Sequence, residues 1–207
     1  MIIAIDGPAA SGKGTLGKRL ADHLGLPHLD TGLLYRAVAR VLLDEGVALT
    51  DRDAAALVAR QLDVTHLDDP RLRGAEMGEA ASVISAYQPV RDALLAFQRG
   101  FGSRETGAVL DGRDIGTVVR PDADVKLFIT ATPEERARRR HLEVVGRGEQ
   151  AKYETILDDI RRRDERDMNR STAPLKAAED AVTLDTTHLD PDGAFRAALA
   201  LVEKGRT

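Results

Sequence analysis

Residues Ile3 to Thr15 read IAIDGPAASGKGT. The stretch is a short apolar run, a loop bounded by glycines, and a lysine where a helix would begin. Gly7, Gly12 and Lys13 have the spacing of a phosphate-binding loop. Glycines let the chain turn back so that successive N–H groups reach phosphate oxygens. The helix behind the loop aims its positive end at the same anion. Lys13 adds a mobile charge for β- and γ-phosphates. The whole segment Gly7, Pro8, Ala9, Ala10, Ser11, Gly12, Lys13, Gly14 and Thr15 is therefore the expected triphosphate cradle. The motif asks for Ser or Thr directly after the lysine, to hold Mg²⁺. Here Gly14 takes that place, so the hydroxyl on the metal is expected from Thr15 or a water.

The remaining numbers narrow the class. The chain has 207 residues, no cysteine, a formal charge of −4 and 3% aromatics. That length is one domain with an ample core. Disulfides, cysteine–zinc sites and thiol nucleophiles are excluded. A mildly acidic, aromatic-poor chain argues against a nucleic-acid binder. No apolar run reaches membrane-spanning length, and MIIAID lacks the flanks of a signal peptide. A cytoplasmic monomer is expected.

Along the chain, apolar runs alternate with helical periods. Ile2–Ile5, Pro27–Asp30, Ala108–Leu110, Val125–Ile129 and Ala181–Leu184 read as strands. Leu16, Leu20 and Leu24 share a helix face that Gly25 ends. Thr31 is placed to cap a helix facing inward through Leu34, Val38, Val41 and Leu42. Thr50 and Asp53 resemble a capping box before Ala54–Leu62. Residues 66–78 are polar and turn-rich, with no period. Helical pieces follow at Ala80–Ile84 and from Pro89, the second closed by Gly100 and Gly102. Thr132, Pro133 and Glu135 open a helix carrying Arg136, Arg139 and Arg140, broken at Gly146–Gly148. A last helix starts at Asp190–Pro191. This alternation predicts an α/β fold with a mainly parallel sheet flanked by helices.

The charged stretches carry the chemistry. Asp111 stands at a strand end, where a carboxylate supports Mg²⁺ beside a phosphate loop. Arg113 and Asp114 follow at the carboxyl edge of the sheet, where open α/β folds bind ligands. Arg163, Arg166, Asp167 and Arg170 fall on one helical face. With Arg36 and Arg91 they make an unusual number of cations for one cleft. Histidines are sparse and no general base stands out. An acceptor that is already an anion needs none, and a phosphate monoester carries about −1.5 to −2 charges near neutral pH. Catalysis would then be positioning and charge neutralisation.

The chain resembles the bacterial cytidylate kinases of the nucleoside monophosphate kinase group. The matching stretches are IDGPAASGKGT, LDTGLLYR, Ser82 to Arg91, LDGRDIGTVV and RRDERDMNR. They run in the family's order over nearly the whole chain. The resemblance implies transfer of the γ-phosphate of ATP to CMP and dCMP, with Mg²⁺. It implies that Thr31, Arg36, Arg113 and Arg170 cage the acceptor phosphate, with Tyr35 packed nearby. Ser82, Arg91 and Asp114 would read the cytosine edge, and Asp167 would hold the sugar hydroxyls. Arg163 and Arg166 would belong to a lid over ATP, spanning about residues 146–170, with Gly146 and Gly148 as hinge. Arg136 or Arg140 would flank adenine. Residues of about 31–100 would form the acceptor-binding region, shortened at 66–78 where the family carries a small antiparallel sheet. UMP, AMP or shikimate as acceptor are the rivals within this class. A guanine-nucleotide switch would need an Asn-Lys-x-Asp reader, which the chain lacks.

Overall fold

The computed structural model describes residues 1–101, 105 and 107–205. Among them, β1 (Ile2–Asp6), β2 (His28–Asp30), β3 (Ala108–Gly112), β4 (Val125–Thr130) and β5 (Val182–Asp185) form one sheet in the order β2-β3-β1-β4-β5. Every pairing is parallel. β1 and β3 are buried along their full length, which is why both read as unbroken apolar runs rather than alternating ones. Helices cover both faces: α1 (Lys13–Leu24) and α8 (Pro191–Lys204) pack with Ile3, Ile5, Leu127 and Ile129 into one core layer.

The remaining helices are α2 (Thr31–Asp44), α3 (Arg52–Arg60), α4 (Ala75–Ile84), α5 (Gln88–Phe101), α6 (Pro133–Gly146) and α7 (Tyr153–Asn169). α2 to α5 carry a second core through Leu34, Val38, Leu42, Ile84, Val90 and Leu94. Where the family pattern has an antiparallel sheet, two single 3₁₀ turns, Val64–His66 and Pro70–Leu72, lead directly into α4. The polar segment is thus shorter than the sequence suggests, and α4 begins at Ala75 instead of Ala80. Gly100 lies inside α5, which runs on to Phe101; Gly102 falls outside the described residues.

Two cap assignments shift by one residue. Asp30, not Thr31, caps α2, its carboxylate accepting from the Gly32 N–H at 2.9 Å. Asp51, not Thr50, caps α3 through the Ala54 N–H. In both places two good capping residues are adjacent, and the chain takes the aspartate. Thr132 caps α6 as its sequence predicts.

Asp6 ties the phosphate loop to the next functional loop. It ends β1, is 4% exposed, and accepts from the Ile115 and Gly116 N–H groups at 2.7 and 2.8 Å. Those donors open a single π turn, Ile115–Val119, directly behind Arg113 and Asp114. Burial pushes the Asp6 carboxyl up to about 7, against the pull of the two N–H groups. The fold therefore binds a proton here that the unfolded chain has already lost, so this contribution falls as pH rises from about 4 to about 7. The stability advantage of wild type over Asp6→Asn should shrink across that window in urea titrations; an advantage constant from pH 4 to 7 would remove Asp6 from the account.

Candidate active site

The phosphate loop is shaped by backbone contacts that leave little choice of residue. At Gly7 φ is 154°, and a Cβ there would lie 2.1 Å from the Ile129 carbonyl oxygen, so no side chain fits. Ala10 holds φ 58°, a left-handed conformation that costs an L-residue about 1 kcal/mol. Ser11 is 1% exposed and its Oγ has no partner. Gly12, at φ 85°, is the residue from which α1 starts, and Lys13 is the first helical residue.

Lys13 opens onto a cleft at the carboxyl ends of β1, β2 and β3. It is lined by Gly14, Asp30, Thr31, Tyr35, Arg36, Ser82, Arg91, Asp111, Arg113, Asp114, Arg163, Asp167 and Arg170. The sheet order reverses at β1, between β3 and β4, and such a switch point is where ligands enter open α/β sheets. All the residues expected on the acceptor side therefore share one cavity. Thr31 is buried and its hydroxyl donates to the Asp111 carbonyl at 2.8 Å. Tyr35 is buried beneath the Arg91 guanidinium, 5.7 Å from the ring centroid. Arg36 Nη1 donates to the Leu72 carbonyl at 2.9 Å.

Arg91 pairs with Asp114 and donates to the Ser85 carbonyl. Arg113 Nε and the Ser82 hydroxyl both donate to Asp167, at 3.1 Å each. Burial works to raise the Asp167 carboxyl, yet Arg113, Arg170 and Arg163 around it hold it below the ordinary carboxylate range. Arg170 donates to the Ser85 hydroxyl at 3.1 Å, while its Nη2 lies 3.9 Å from Asp114 without a hydrogen bond. Arg163 Nε is likewise buried without a partner.

A second cavity also borders Lys13, and is lined by Ala9, Ala10, Glu76, Glu79, Arg140 and Lys152. Lys13, Arg36, Arg113 and Arg163 line both cavities. These four cations thus stand at the boundary, where burial and then neighbouring charge disfavour the protonated forms of Lys13 and Arg163. Burial, then Arg113, pushes the Lys13 ammonium down to about 7. Burial and Arg113 likewise lower Arg163 to about 10. Anions brought between them would reverse both shifts.

Three of the expected residues stand away from this cleft. Arg166 does not line either cavity: it pairs with Glu79 at 2.6 Å and borders an outer groove with Arg52 and Tyr87. It follows Arg163 by three residues on α7, and that rotation carries it past the rim. Thr15 is exposed and lines a different cavity, with Ser11, Arg139, Thr186 and Leu189. Arg136 is 3% exposed and committed to Asp164 and two carbonyls, so it has no face to offer a base.

Two carboxylates, not one, face the space beside Gly14. Strand register sets Asp30 opposite Asp111. A Cβ built on Gly14 would lie 3.8 Å from Asp111 Oδ1 and 4.0 Å from Asp30 Oδ2. Gly14 therefore leaves open a space faced by both acids. Asp111 Oδ2 is held by His28 Nε2 at 2.7 Å. Burial, then the Asp111 charge, raises the Asp30 carboxyl. Sequence reading missed Asp30; its signal was a carboxylate ending a strand just before a helix, which was read only as a strand end.

The family comparison falls on this same geometry. The model of the cytidylate kinase family matches residues 3–204. The chain belongs to the cytidylate kinase family. A cytidylate kinase of Methylocella silvestris is 63% identical over 98% of this chain and 94% of its own. Those of Rhodopseudomonas palustris and Xanthobacter autotrophicus are 61% and 62% identical, each over 100% of this chain and 97% and 99% of theirs. Among solved structures, a gluconokinase of Sinorhizobium meliloti aligns over 99% of this chain and 93% of its own, with TM-score 0.52 and 19% identity. A protein of Eubacterium ventriosum described as uncharacterized aligns over 99% and 98%, with TM-score 0.57 and 17% identity. These two likenesses are of fold alone.

Proposed function

We propose that the protein transfers the γ-phosphate of ATP to CMP and dCMP, giving ADP and CDP or dCDP. The observation that carries this is the boundary of Lys13, Arg36, Arg113 and Arg163 between two cavities. One cavity borders the phosphate loop and the other holds a set of polar readers. Two phosphates, one in each cavity, would meet at these cations. A phosphate acceptor is itself the nucleophile, so no base is needed. The positioned charges offset repulsion and stabilise a loose transition state in a site that excludes bulk water.

On this reading, Gly7 to Lys13 bind the ATP phosphates through backbone N–H groups, and Lys13 follows the transferred group. Thr31, Arg36, Arg113 and Arg170 hold the acceptor phosphate. Asp167, already paired with Ser82 and Arg113, offers its remaining lone pairs to the sugar hydroxyls. Arg91 and Asp114 present a donor and an acceptor side by side, which suits the cytosine edge with its amino group and ring acceptors.

A magnesium ion fits the donor set above Gly14, where Asp111 and Asp30 converge and burial, then the Asp111 charge, raises Asp30. Asp111, with Asp30 beside it, would hold the ion, while Thr15 lines a neighbouring cavity. Among the described residues no group of three or more acidic or histidine side chains forms a metal cluster, and Mg²⁺ in such sites is held by one or two carboxylates plus substrate phosphates. When bound it would neutralise charge on the β- and γ-oxygens. The cavity by Thr15, with Arg139 and Leu189, is the better place for adenine than the vicinity of Arg136. The protein would work as a cytoplasmic monomer; among the described residues no helix is long and apolar enough to cross a membrane. Residues of about 146–170 would close over ATP, with Gly148, at φ 79°, in the hinge. Compaction in solution scattering when both nucleotides are added is the expected sign.

Steady-state ADP release with a panel of monophosphates tests the function. CMP and dCMP should stimulate release far above UMP and AMP. Equal release with and without CMP would overturn the proposal. Protonation gives an independent check. Binding of ATP should restore the Lys13 charge, with uptake of about one proton at pH 8, read by calorimetry in buffers of different ionisation enthalpy. Lys13→Met should show none; uptake unchanged in that variant would assign the proton elsewhere.

A further inference from the structure

Arg136 and Asp164 are buried, at 3% and 8% exposure. The Arg136 guanidinium meets both Asp164 oxygens. Its Nη1 also donates to the Ala9 carbonyl at 3.0 Å, and its Nε to the Ala131 carbonyl at 2.9 Å. One planar group thus joins three pieces of chain: the phosphate loop at Ala9, the end of β4 at Ala131, and α7 at Asp164. Ala9 directly precedes Ala10, whose left-handed backbone shapes the loop. Asp164 directly follows Arg163, which lines both cavities and has a buried Nε without a partner. The spacing between the phosphate loop and the arginine-bearing face of α7 therefore runs through this pair.

We propose that Arg136 and Asp164 are positioning residues for phosphoryl transfer, holding α7 and its Arg163 in register with the phosphate loop. A pair kept only for stability would be replaceable. Buried ion pairs exchanged for apolar side chains of similar volume are often neutral or stabilising, whereas removing one partner is strongly destabilising. That contrast separates the two roles. The inference rests on the kinase reading above; wild-type turnover of CMP tests that reading, and the variant-to-wild-type ratio tests this one.

The experiment compares wild type with the double variant Arg136→Met/Asp164→Leu. The melting temperature should be within a few degrees of wild type. Misplacement of a reacting group by about 1 Å can cost about 10²-fold in rate, so kcat should fall about 10²-fold, with KM for CMP changed less than about threefold. The dissociation constant for ATP, titrated without acceptor, should weaken about tenfold and needs no turnover to read. A stable double variant with wild-type kcat and ATP affinity overturns the proposal. Should the double variant not fold, Asp164→Asn, which keeps the shape and loses the charge, is assayed well below its own melting temperature. A kcat within about tenfold of wild type then overturns the proposal, and a larger loss supports it.

Discussion

Arg163→Met is expected to lower kcat about 10³-fold while leaving the melting temperature unchanged or raising it. The two halves have one cause. Arg163 faces Lys13, Arg36 and Arg113 across the cavity boundary, and its Nε is buried without a partner. Burial and the Arg113 charge already hold its guanidinium down to about 10. Without ligand, the fold carries this cation at a cost. With two phosphates between these groups, the same charge becomes the partner of the transferring group, and a correctly placed arginine is worth about 10³ to 10⁵ in rate. Methionine keeps much of the stem volume and removes the repulsion. Stability given up to preorganise a site is a common trade. Thermal melts together with steady-state kinetics decide it: a variant that melts well below wild type would make Arg163 a structural residue, and one that keeps its kcat would remove it from the transfer.

Asp114→Ala should abolish most of the preference for CMP over UMP and also destabilise the fold. Asp114 is 5% exposed and paired with Arg91, itself 6% exposed. Removing the carboxylate strands a buried guanidinium, which costs about 3–5 kcal/mol. Cytosine offers an amino donor where uracil offers a carbonyl. A carboxylate there accepts from the first and repels the second, so losing it should shrink the ratio of kcat/KM values by about 10² or more. Asp114→Asn separates the effects. Its amide can donate to the uracil carbonyl, so the ratio should move further toward UMP with less loss of stability. Competing CMP and UMP in one assay reads the ratio directly; a ratio unmoved in both variants would take Asp114 out of base recognition.

Particular residues show how far the sequence could be read. The strands and most helix positions followed from apolar runs and three-to-four spacing, because burial on both faces or one face leaves that mark directly. Caps were less legible, since Asp30 beside Thr31 and Asp51 beside Thr50 offer the backbone two acceptors, and only the path of the entering chain chooses. The arginine row on α7 was visible as a face, but a face spans more arc than one cavity. Arg163 and Arg170 point into the cleft, while Arg166 passes its rim to meet Glu79. Thr15 is expected at the metal by type and nearness in sequence, and its side chain lines a cavity next to the cleft.

The order of motifs from the glycine loop to the arginine row determined, without coordinates, the class of sheet and the need for an anionic acceptor. These depend on local spacing and on charge, which a linear chain displays. Tertiary structure alone decided which charges meet. Asp30 faces Asp111 only through the register of β2 on β3. Arg136 reaches Ala9 and Asp164 only because three segments far apart in the chain close on one guanidinium. Coulomb and hydrogen-bond energies depend on distance in space, and separation along the chain does not carry that information.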